Sequence, residues 1–485
     1  MTFRRVSSRL AATFAAACPL FAAVEAPATE RSACDWLPSC LAPTCDGVDC
    51  ESLLDPGCDP FGCEAGGCDA VGCDAVGCDA TGCDATDCCG RQTLLGDPFG
   101  VRAGLAENGL SVVTFDVTQV YQNVTTGGLE RTGAYGGHSD LVFLANFGQM
   151  GGPEGLLLQV RAEGNFGESI TDAAGVVLPP AIQTELPVAG ERNYAVTNFL
   201  FTQLLSERFA VFAGKNDSLT GDVNAFAHGR GKTQFLNSAF VVNPVGLRTV
   251  PYSALLAGFS VLGEGAEPLF TFAAWNPVDT ATEVGLDELY ADGVTLAGEL
   301  RLPVEVAGRP GHQLFAATWS SRDFLALEQD PRVLLPVVGL PGPAVEQTSG
   351  SWSAYWNMDQ YLYVDPCDPT RGWGVFARYG AADLDSSPLA HFASVGLGGV
   401  GPLDSRPTDS WGVGYYYAWS SDSFVTNLIQ LEDGQGFEAY YRAMLTPYFD
   451  VTPDVQVLDG GRTEFGQAEE DAAALVLGVR ANLRF

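Results

Sequence analysis

The 485-residue sequence predicts an all-β protein built around a transmembrane antiparallel β-barrel. Short segments of alternating apolar and polar residues recur through residues 93–485, and a period of two is typical of strands. Aromatic residues stand at the ends of these segments, as in the interfacial girdles of membrane barrels. No run of eighteen apolar residues follows Val24, which excludes helical membrane spans but leaves a barrel open.

Residues 1–28 are expected to be a signal peptide. Three arginines precede a short, alanine-rich apolar stretch at 10–24, and small residues follow where cleavage would occur. The apolar stretch is too short to span a bilayer, which argues against a membrane anchor. Lipidation at Cys18 is a weaker alternative because Ala-Ala-Ala precedes it. The sequence therefore predicts an exported protein.

Residues 29–92 are expected to form a cysteine-rich arm on the periplasmic side. Residues 30–92 hold 12 of the 14 cysteines and carry 13 acids against two arginines. In "GCDAVGCDAVGCDATGCDATDCC", at 67–89, cysteine recurs every five residues, a period that fits neither a helix nor a strand. The residues are also too small and acidic to make a core.

The cysteines of this arm are expected to form disulfides in a stapled spacer, because the protein is exported. Metal binding by thiolates beside aspartates is the alternative, but the arm lacks histidine and the spacing of zinc sites, so no metal site is predicted. The disulfide candidates are Cys58, Cys63, Cys68, Cys73, Cys78, Cys83, Cys88 and Cys89.

Residues 93–485 are expected to form the barrel. Alternation is clearest at 475–485, 411–420, 437–445 and 110–122. Less regular segments lie near 140–148, 155–164, 208–216, 293–301, 311–319, 351–359 and 372–380. About 24 residues per strand and connection gives about 16 strands, which leaves an aqueous lumen. A soluble β-sandwich or β-helix is the alternative, and the terminal aromatics favour the membrane barrel.

Composition excludes several functions. The net charge of −34 makes nucleic acid an unsuitable partner. Four histidines without metal spacing, and the lack of a nucleophile elbow or a phosphate loop, predict neither an enzyme nor a bound cofactor. Residues 93–485 carry 45 acids against 20 bases, which predicts cation preference for any pore they form.

Several stretches resemble the OprB-type carbohydrate-selective porins. "GWGVFARYGAADLDSSPLAHFASVGLGGVGPLDSRPTDSWGVGYYYAWSS" (372–421) is similar to that family's strand, loop and strand around "G-x-G-P-x-x-x-R-P-x-D". The penultimate hairpin at 438–458, the closing strand at 473–485, the entry segment at 94–128 and the Gly-Lys-x-Asp strand with its Phe-rich turn at 212–240 also resemble the family. The arm matches nothing in it.

The resemblance implies an outer-membrane porin for passive diffusion of small solutes, preferring carbohydrates, through a polar water-filled lumen. Its partners would be outer-membrane lipid, small sugars as permeants and an envelope or cell-wall component bound by the arm. The alternative is a structural barrel that anchors the envelope and conducts incidentally. A pore specific for a non-sugar solute or for anions is a third option.

Alternation nominates ten charged side chains for the lumen face. Carboxylates accept and guanidiniums donate hydrogen bonds to sugar hydroxyls, and both signs facing one lumen create a transverse field. Charges on the lipid face would cost about 2–4 kcal/mol at the midplane. Each of them alternatively serves only to keep the lumen wet. The pore-lining candidates are Asp116, Arg161, Glu163, Glu299, Arg301, Arg378, Glu438, Arg442, Arg480 and Arg484.

Three long connections are expected outside the membrane or folded inward as a constriction. They lie around 170–195, 280–292 and 325–350 and are rich in Pro, Val and Leu.

Overall fold

The computed structural model describes residues 94–97, 99–187, 193–287, 289–366, 368–460 and 473–485. Sixteen antiparallel strands in this part of the chain close into one barrel, in which β1 pairs with β16. The predicted fold class and strand number are confirmed. The expected signal peptide, the cysteine-rich arm and all the disulfide candidates lie outside the described residues.

The strands are β1 (Leu110–Thr126), β2 (Gly133–Asn146), β3 (Leu156–Gly167), β4 (Tyr194–Ser206), β5 (Phe209–Asp217), β6 (Ser253–Leu262), β7 (Pro268–Trp275), β8 (Thr295–Val306), β9 (Arg309–Leu325), β10 (Gln347–Val364), β11 (Gly372–Ala382), β12 (Leu389–Val400), β13 (Ser410–Ser420), β14 (Gly434–Thr446), β15 (Phe449–Asp459) and β16 (Ala474–Arg484). The short helices are α1 (Val101–Glu107), α2 (Thr171–Ala174) and α3 (Phe424–Leu428). Turns of 3₁₀ helix cover Ile182–Thr184, Gly229–Gly231, Ser238–Phe240, Pro244–Arg248, Glu264–Ala266 and Pro331–Val338. None of the helices in the described ranges is long and apolar enough to cross a membrane.

Side chains alternate across the wall as the sequence pattern predicts. On β16, Leu477 and Val479 point outward and are each 45% exposed, whereas Arg480 points inward and has no accessible surface. Successive side chains of a strand point to opposite faces, so one apolar-polar alternation gives both a lipid face and a lumen face.

Five strands, β4, β6, β7, β12 and β15, are absent from the alternating segments of the sequence, although β15 lies within the hairpin at 438–458. In β4 the period of two breaks at Thr197 and Asn198, which are both buried, because the β3–β4 register shifts there by a bulge. In β6, β7 and β12 most inward positions are apolar or glycine, such as Leu256 and Gly396, and few are polar, such as Ser394. The polar half of the alternation is therefore weak in their sequences.

The two ends of the barrel differ in the length of their connections. At the terminal end, where Leu94 N donates to Arg484 O at 2.9 Å, several turns have two residues, as at 207–208, 307–308 and 447–448. At the distal end the connections 168–193, 218–252, 276–294 and 326–346 are long. The three predicted long connections lie at this end, although the first and the third overlap strands, since β4 begins at Tyr194 and β10 begins at Gln347.

Candidate functional site: a lumen filled by an inserted segment

Residues 218–252, which connect β5 to β6, fold into the barrel and form what we call the lumen insert. They contact inward-facing side chains of β1, β3, β10, β11, β14 and β16. Phe235, Ala239 and Phe240 have no accessible surface. The sequence pattern placed the possible constriction in other connections, because this segment has neither strand nor helix periodicity.

Asparagine and glycine residues give the lumen insert its compact turns. The side chains of Asn237 and Asn243 accept hydrogen bonds from Ala239 N and Val245 N, and each starts a short 3₁₀ turn. Gly231, with φ of 72°, adopts a left-handed conformation that disfavours other residues. These local bonds satisfy backbone groups that the insert would otherwise bury unpaired.

The insert packs against one side of the barrel through aromatic rings that lie directly against glycine backbone. A Cβ built on Gly414 would lie 2.6 Å from Cε1 of Phe240, and one on Gly412 would lie 2.8 Å from Cζ of Phe235. The Phe235 and Phe240 ring centroids are 4.5 Å apart. We call the inward glycines of β11, β12 and β13 the glycine wall: Gly374, Gly380, Gly396, Gly398, Gly412 and Gly414.

Arg378 fixes the insert to β11 by charge. It has almost no accessible surface, and its Nε donates to Asp222 Oδ2 at 2.8 Å. Its other nitrogens donate to Phe240 O at 3.0 Å and Ala227 O at 2.6 Å. Asn357 Nδ2 donates to the second oxygen, Asp222 Oδ1, at 2.7 Å. Burial raises the pKa of Asp222, and the Arg378 guanidinium opposes that rise.

Glu438 and Arg480 bind the backbone of the insert from β14 and β16. The two carboxylate oxygens of Glu438 accept from Leu236 N at 2.6 Å and Asn237 N at 2.9 Å. Arg480 Nη1 donates to Gly231 O at 2.6 Å and to Gln234 O at 2.8 Å. Both side chains are fully buried, so in this conformation they contact the insert rather than open solvent.

On the side of β1 to β5 the contact is ionic. Arg230 Nη2 of the insert lies 2.7 Å from Glu163 Oε1, and Tyr252 donates to the same carboxylate at 2.6 Å. Lys232 Nζ of the insert lies 2.6 Å from Asp140 Oδ2 and 2.9 Å from Asp116 Oδ1. We call the inward charged side chains of this side the ionic wall: Asp116, Asp140, Arg161, Glu163 and Asp217.

The four other predicted pore residues lie toward the periphery of the insert. Glu299 Oε2 accepts from Asp222 N at 3.1 Å. Arg301 forms an ion pair with Glu267, and Arg442 and Arg484 both bind Asp450 at 2.7 Å. All ten candidates thus have ionic or backbone partners around the lumen, and a contact with solute remains a prediction for each.

Several charged residues of the site were not among the ten candidates. Asp140 could have been found, because it pairs with Glu163 in the β2–β3 ladder and lies in an alternating segment. Asp222, Arg230 and Lys232 belong to the insert, where no periodicity reveals which side chains meet the wall. In the ranges that the structure describes, no group of three or more His, Cys, Asp or Glu side chains could hold a metal ion.

A shallow recess opens to solvent at the distal mouth. Its lining is mainly apolar and includes the inward side chains Tyr416 and Ala418 and, from the connection 168–193, Val177 and Leu178. The mouth therefore offers an apolar surface, and the charged side chains begin deeper in the barrel.

Comparison with known proteins identifies relatives of this barrel. A family model described as carbohydrate-selective porin, OprB family, matches residues 130–485. The high-pH structure of Pseudomonas putida OprB is 20% identical, with 80% of this chain and 97% of that chain covered at a TM-score of 0.68. Its low-pH structure is 16% identical, covers 81% and 98%, and has a TM-score of 0.48.

A more distant structure is the outer membrane channel DcaP of Acinetobacter baumannii, 13% identical over 78% of this chain and 98% of that chain at a TM-score of 0.46. At such identities the likeness to solved structures shows the fold alone. Comparison with curated proteins gave no match.

Proposed function

From the premise that the chain belongs to the OprB family of carbohydrate-selective porins, we propose that it conducts small sugars by passive diffusion past the lumen insert. The family and the barrel indicate an outer-membrane channel rather than an enzyme. The observation that carries the proposal is the ionic contact between the insert and the ionic wall, which puts carboxylates and cations around the interior of the barrel.

Groups of this kind can replace water around a sugar. Carboxylate oxygens accept hydrogen bonds from sugar hydroxyls, and guanidinium or ammonium groups donate to them. The polar groups of the ionic wall already bind one another, so a passing solute exchanges with partly satisfied partners and is held weakly. Weak occupancy is what conduction requires.

The ten candidate residues then divide into two roles. We assign to holding the insert the residues that bind its side chains or its backbone, and they are Asp116, Glu163, Glu299, Arg378, Glu438 and Arg480. The residues assigned to solute contact bind other wall residues or lie toward the terminal end, and they are Arg161, Arg301, Arg442 and Arg484.

The orientation follows the lengths of the connections. Outer-membrane barrels have short periplasmic turns and longer extracellular loops. The terminal end would therefore face the periplasm, and a solute would enter past the distal recess. The arm at 29–92 would leave the barrel on the periplasmic side, consistent with the expected spacer.

Reconstitution of the full-length chain into planar bilayers tests the proposal. We expect stepwise conductance that added glucose reduces in a concentration-dependent and reversible manner. Liposome swelling should rank neutral monosaccharides above amino acids of similar size. Steps that no sugar reduces would contradict a sugar-preferring channel.

The acidic, cysteine-rich composition of the arm favours a second candidate function, anchoring of the barrel to another envelope layer. A chain lacking residues 29–92 should keep the conductance and its reduction by glucose, and should lose attachment to the cell wall. Unchanged attachment would argue against this second role.

A further inference from the structure

Five cations of the lumen form one row, in which neighbours share a carboxylate or are linked by one across adjacent strands. Arg161 and Lys232 share Asp140, at 3.1 and 2.6 Å, and Arg161 and Arg230 share Asp217. The row therefore begins in the middle of the barrel, where the insert meets β2, β3 and β5.

The row continues toward the terminal end. Lys232 also binds Asp116, which lies directly opposite Arg484 in the β1–β16 ladder. Arg484 and Arg442 share Asp450, each at 2.7 Å. We call this row the basic track: Arg161, Arg230, Lys232, Arg484 and Arg442.

Solvent reaches the cations of the track more than the acids that neutralise them. The exposed fraction of the side chain is 8–9% for Arg161, Arg230 and Lys232, 12% for Arg442 and 23% for Arg484. It is at most 1% for Asp140, Glu163, Asp217 and Asp450, and only Asp116, at 8%, is comparable to the cations. Nearly balanced charge therefore presents a positive face to the lumen.

Across the barrel, Glu267 in the β6–β7 turn is 28% exposed and forms an ion pair with Arg301. The exposed cations of the track therefore have no matching row of cations on that side among the ion pairs of the described residues, and an anionic group moving through the lumen would follow the track. Low-dielectric walls strengthen the field of such a row, and rows of Arg and Lys line pores that select anions.

We propose that the basic track makes the pore prefer anionic monosaccharides, those that carry one carboxylate or phosphate, over neutral ones. This rests on the proposed function, since it specifies which sugars the channel favours. It also reverses the cation preference expected from composition. The excess of acids in residues 93–485 counts all charged side chains, whereas the track determines which charges are exposed to the lumen.

The test compares glucose with glucuronate as blockers of the full-length channel in planar bilayers. The salt is about 0.1 M KCl, at which the Debye length is about 10 Å and charges in the lumen are only partly screened. We expect glucuronate to reduce the current at about fivefold lower concentration, the upper range for exposed ion pairs. In a KCl gradient, the reversal potential should shift toward the equilibrium potential of chloride. Raising KCl to about 1 M should remove most of the preference.

Arg442→Gln removes one cation of the track and leaves Asp450 bound to Arg484. We expect it to lower the ratio of glucuronate block to glucose block at least about twofold. Arg332→Gln is the matched control, because Arg332 lies in the distal connection, pairs with Asp330 and is outside the track. It should leave both blocks unchanged.

If the two sugars block equally and the reversal potential shifts toward that of potassium, the basic track does not select anions. The proposed sugar channel would not be affected by that result. A preference that persists in Arg442→Gln, or is insensitive to salt, also overturns the basic track as a selector. If neither compound reduces the current, the proposed function fails and this inference fails with it.

Discussion

The lumen insert meets two sides of the barrel through opposite kinds of contact. At the glycine wall, backbone without side chains receives the rings of Phe226, Phe235 and Phe240. At the ionic wall, charged side chains reach out to Arg230 and Lys232. The contact at the glycine wall depends on shape and is independent of salt. The contact at the ionic wall depends on charge and on the direction of its hydrogen bonds. One segment is thus positioned mainly by ring packing on one side, where Arg378 adds a buried charge, and by electrostatics on the other.

The two contacts also differ in what they leave for solute. Burial of an aromatic ring stabilises by about 25 cal/mol per Å² of apolar surface, and a ring packed on glycine leaves no polar group open. Buried ion pairs contribute less net stability, because desolvation offsets much of their attraction. The ionic wall therefore holds the insert less strongly, and it is the better surface for exchange of hydrogen bonds with a sugar hydroxyl group.

Removing the buried charge at Arg378 should have the largest effect on channel conductance and on stability. Arg378→Met leaves Asp222 buried without its cation, and breaking such a pair costs about 3–5 kcal/mol. We expect larger single-channel steps, because the insert would leave its place, together with a lower midpoint of unfolding in denaturant. Adding Asp222→Asn should recover part of the loss, and failure of the double variant to do so would show that charge is not the cause.

Adding one carbon to the glycine wall should have the next largest effect. In Gly414→Ala the new methyl group would meet the Phe240 ring at 2.6 Å, and overpacking costs about 1–3 kcal/mol. Gly298→Ala on β8 is the control, since its Cβ would lie no closer than 3.9 Å to any neighbour. Conductance and stability should change only in the first variant, and by the same amount at low and high salt.

Lys232→Met at the ionic wall should have a smaller effect. Asp140 keeps Arg161 as a partner, so the loss is mainly the charged hydrogen bond to Asp116, worth about 1.5–3 kcal/mol before solvent screening reduces it. We expect the difference from the wild type to shrink as salt rises. Salt independence would show that this wall, too, works by shape.

The smallest expected effect is a dependence on pH at His228. Burial lowers the pKa of this insert histidine from 6.5 to about 4. Because the folded-state pKa is depressed, the stabilisation is complete above pH 6.5 and is lost as the pH falls through 4. The midpoint of unfolding in denaturant should therefore fall over this range in the wild type, and His228→Gln should reduce that fall.

Asp279, in the connection 276–294, acts with the opposite sign. Burial raises its pKa from 3.8 to about 6, so its stabilisation is present below pH 3.8 and is lost as the pH rises through 6. Only the difference between the wild type and His228→Gln isolates the histidine. An identical pH dependence in the two proteins would contradict a buried neutral imidazole.

The walls also explain what the sequence could predict. Strand β16 is recognisable because Arg480 and Arg484 alternate with leucine and valine. Strand β12 turns Phe392, Gly396 and Gly398 inward and has Ser394 as the polar side chain between them, so its sequence marks an inward polar face only weakly. Alternation therefore identifies β16 by the contrast in side-chain type between its two faces, and that contrast is weak in β12.

The same reason divides the site residues. Alternation places Arg161 and Glu438 on the inward face, because each lies in a regular strand. Asp222, Arg230 and Lys232 come from a segment without regular structure, and their partners lie far away in sequence. Their positions follow from how the chain packs in three dimensions, which a period along the sequence does not encode.

The single-channel conductance of Arg378→Met beside the wild type tests the central claim most directly. The claim is that the insert, fixed in the lumen by both walls, sets the width and the sugar preference of the pore. It predicts larger steps that glucose reduces less than it reduces those of the wild type. Steps of equal size with equal block by glucose would contradict it.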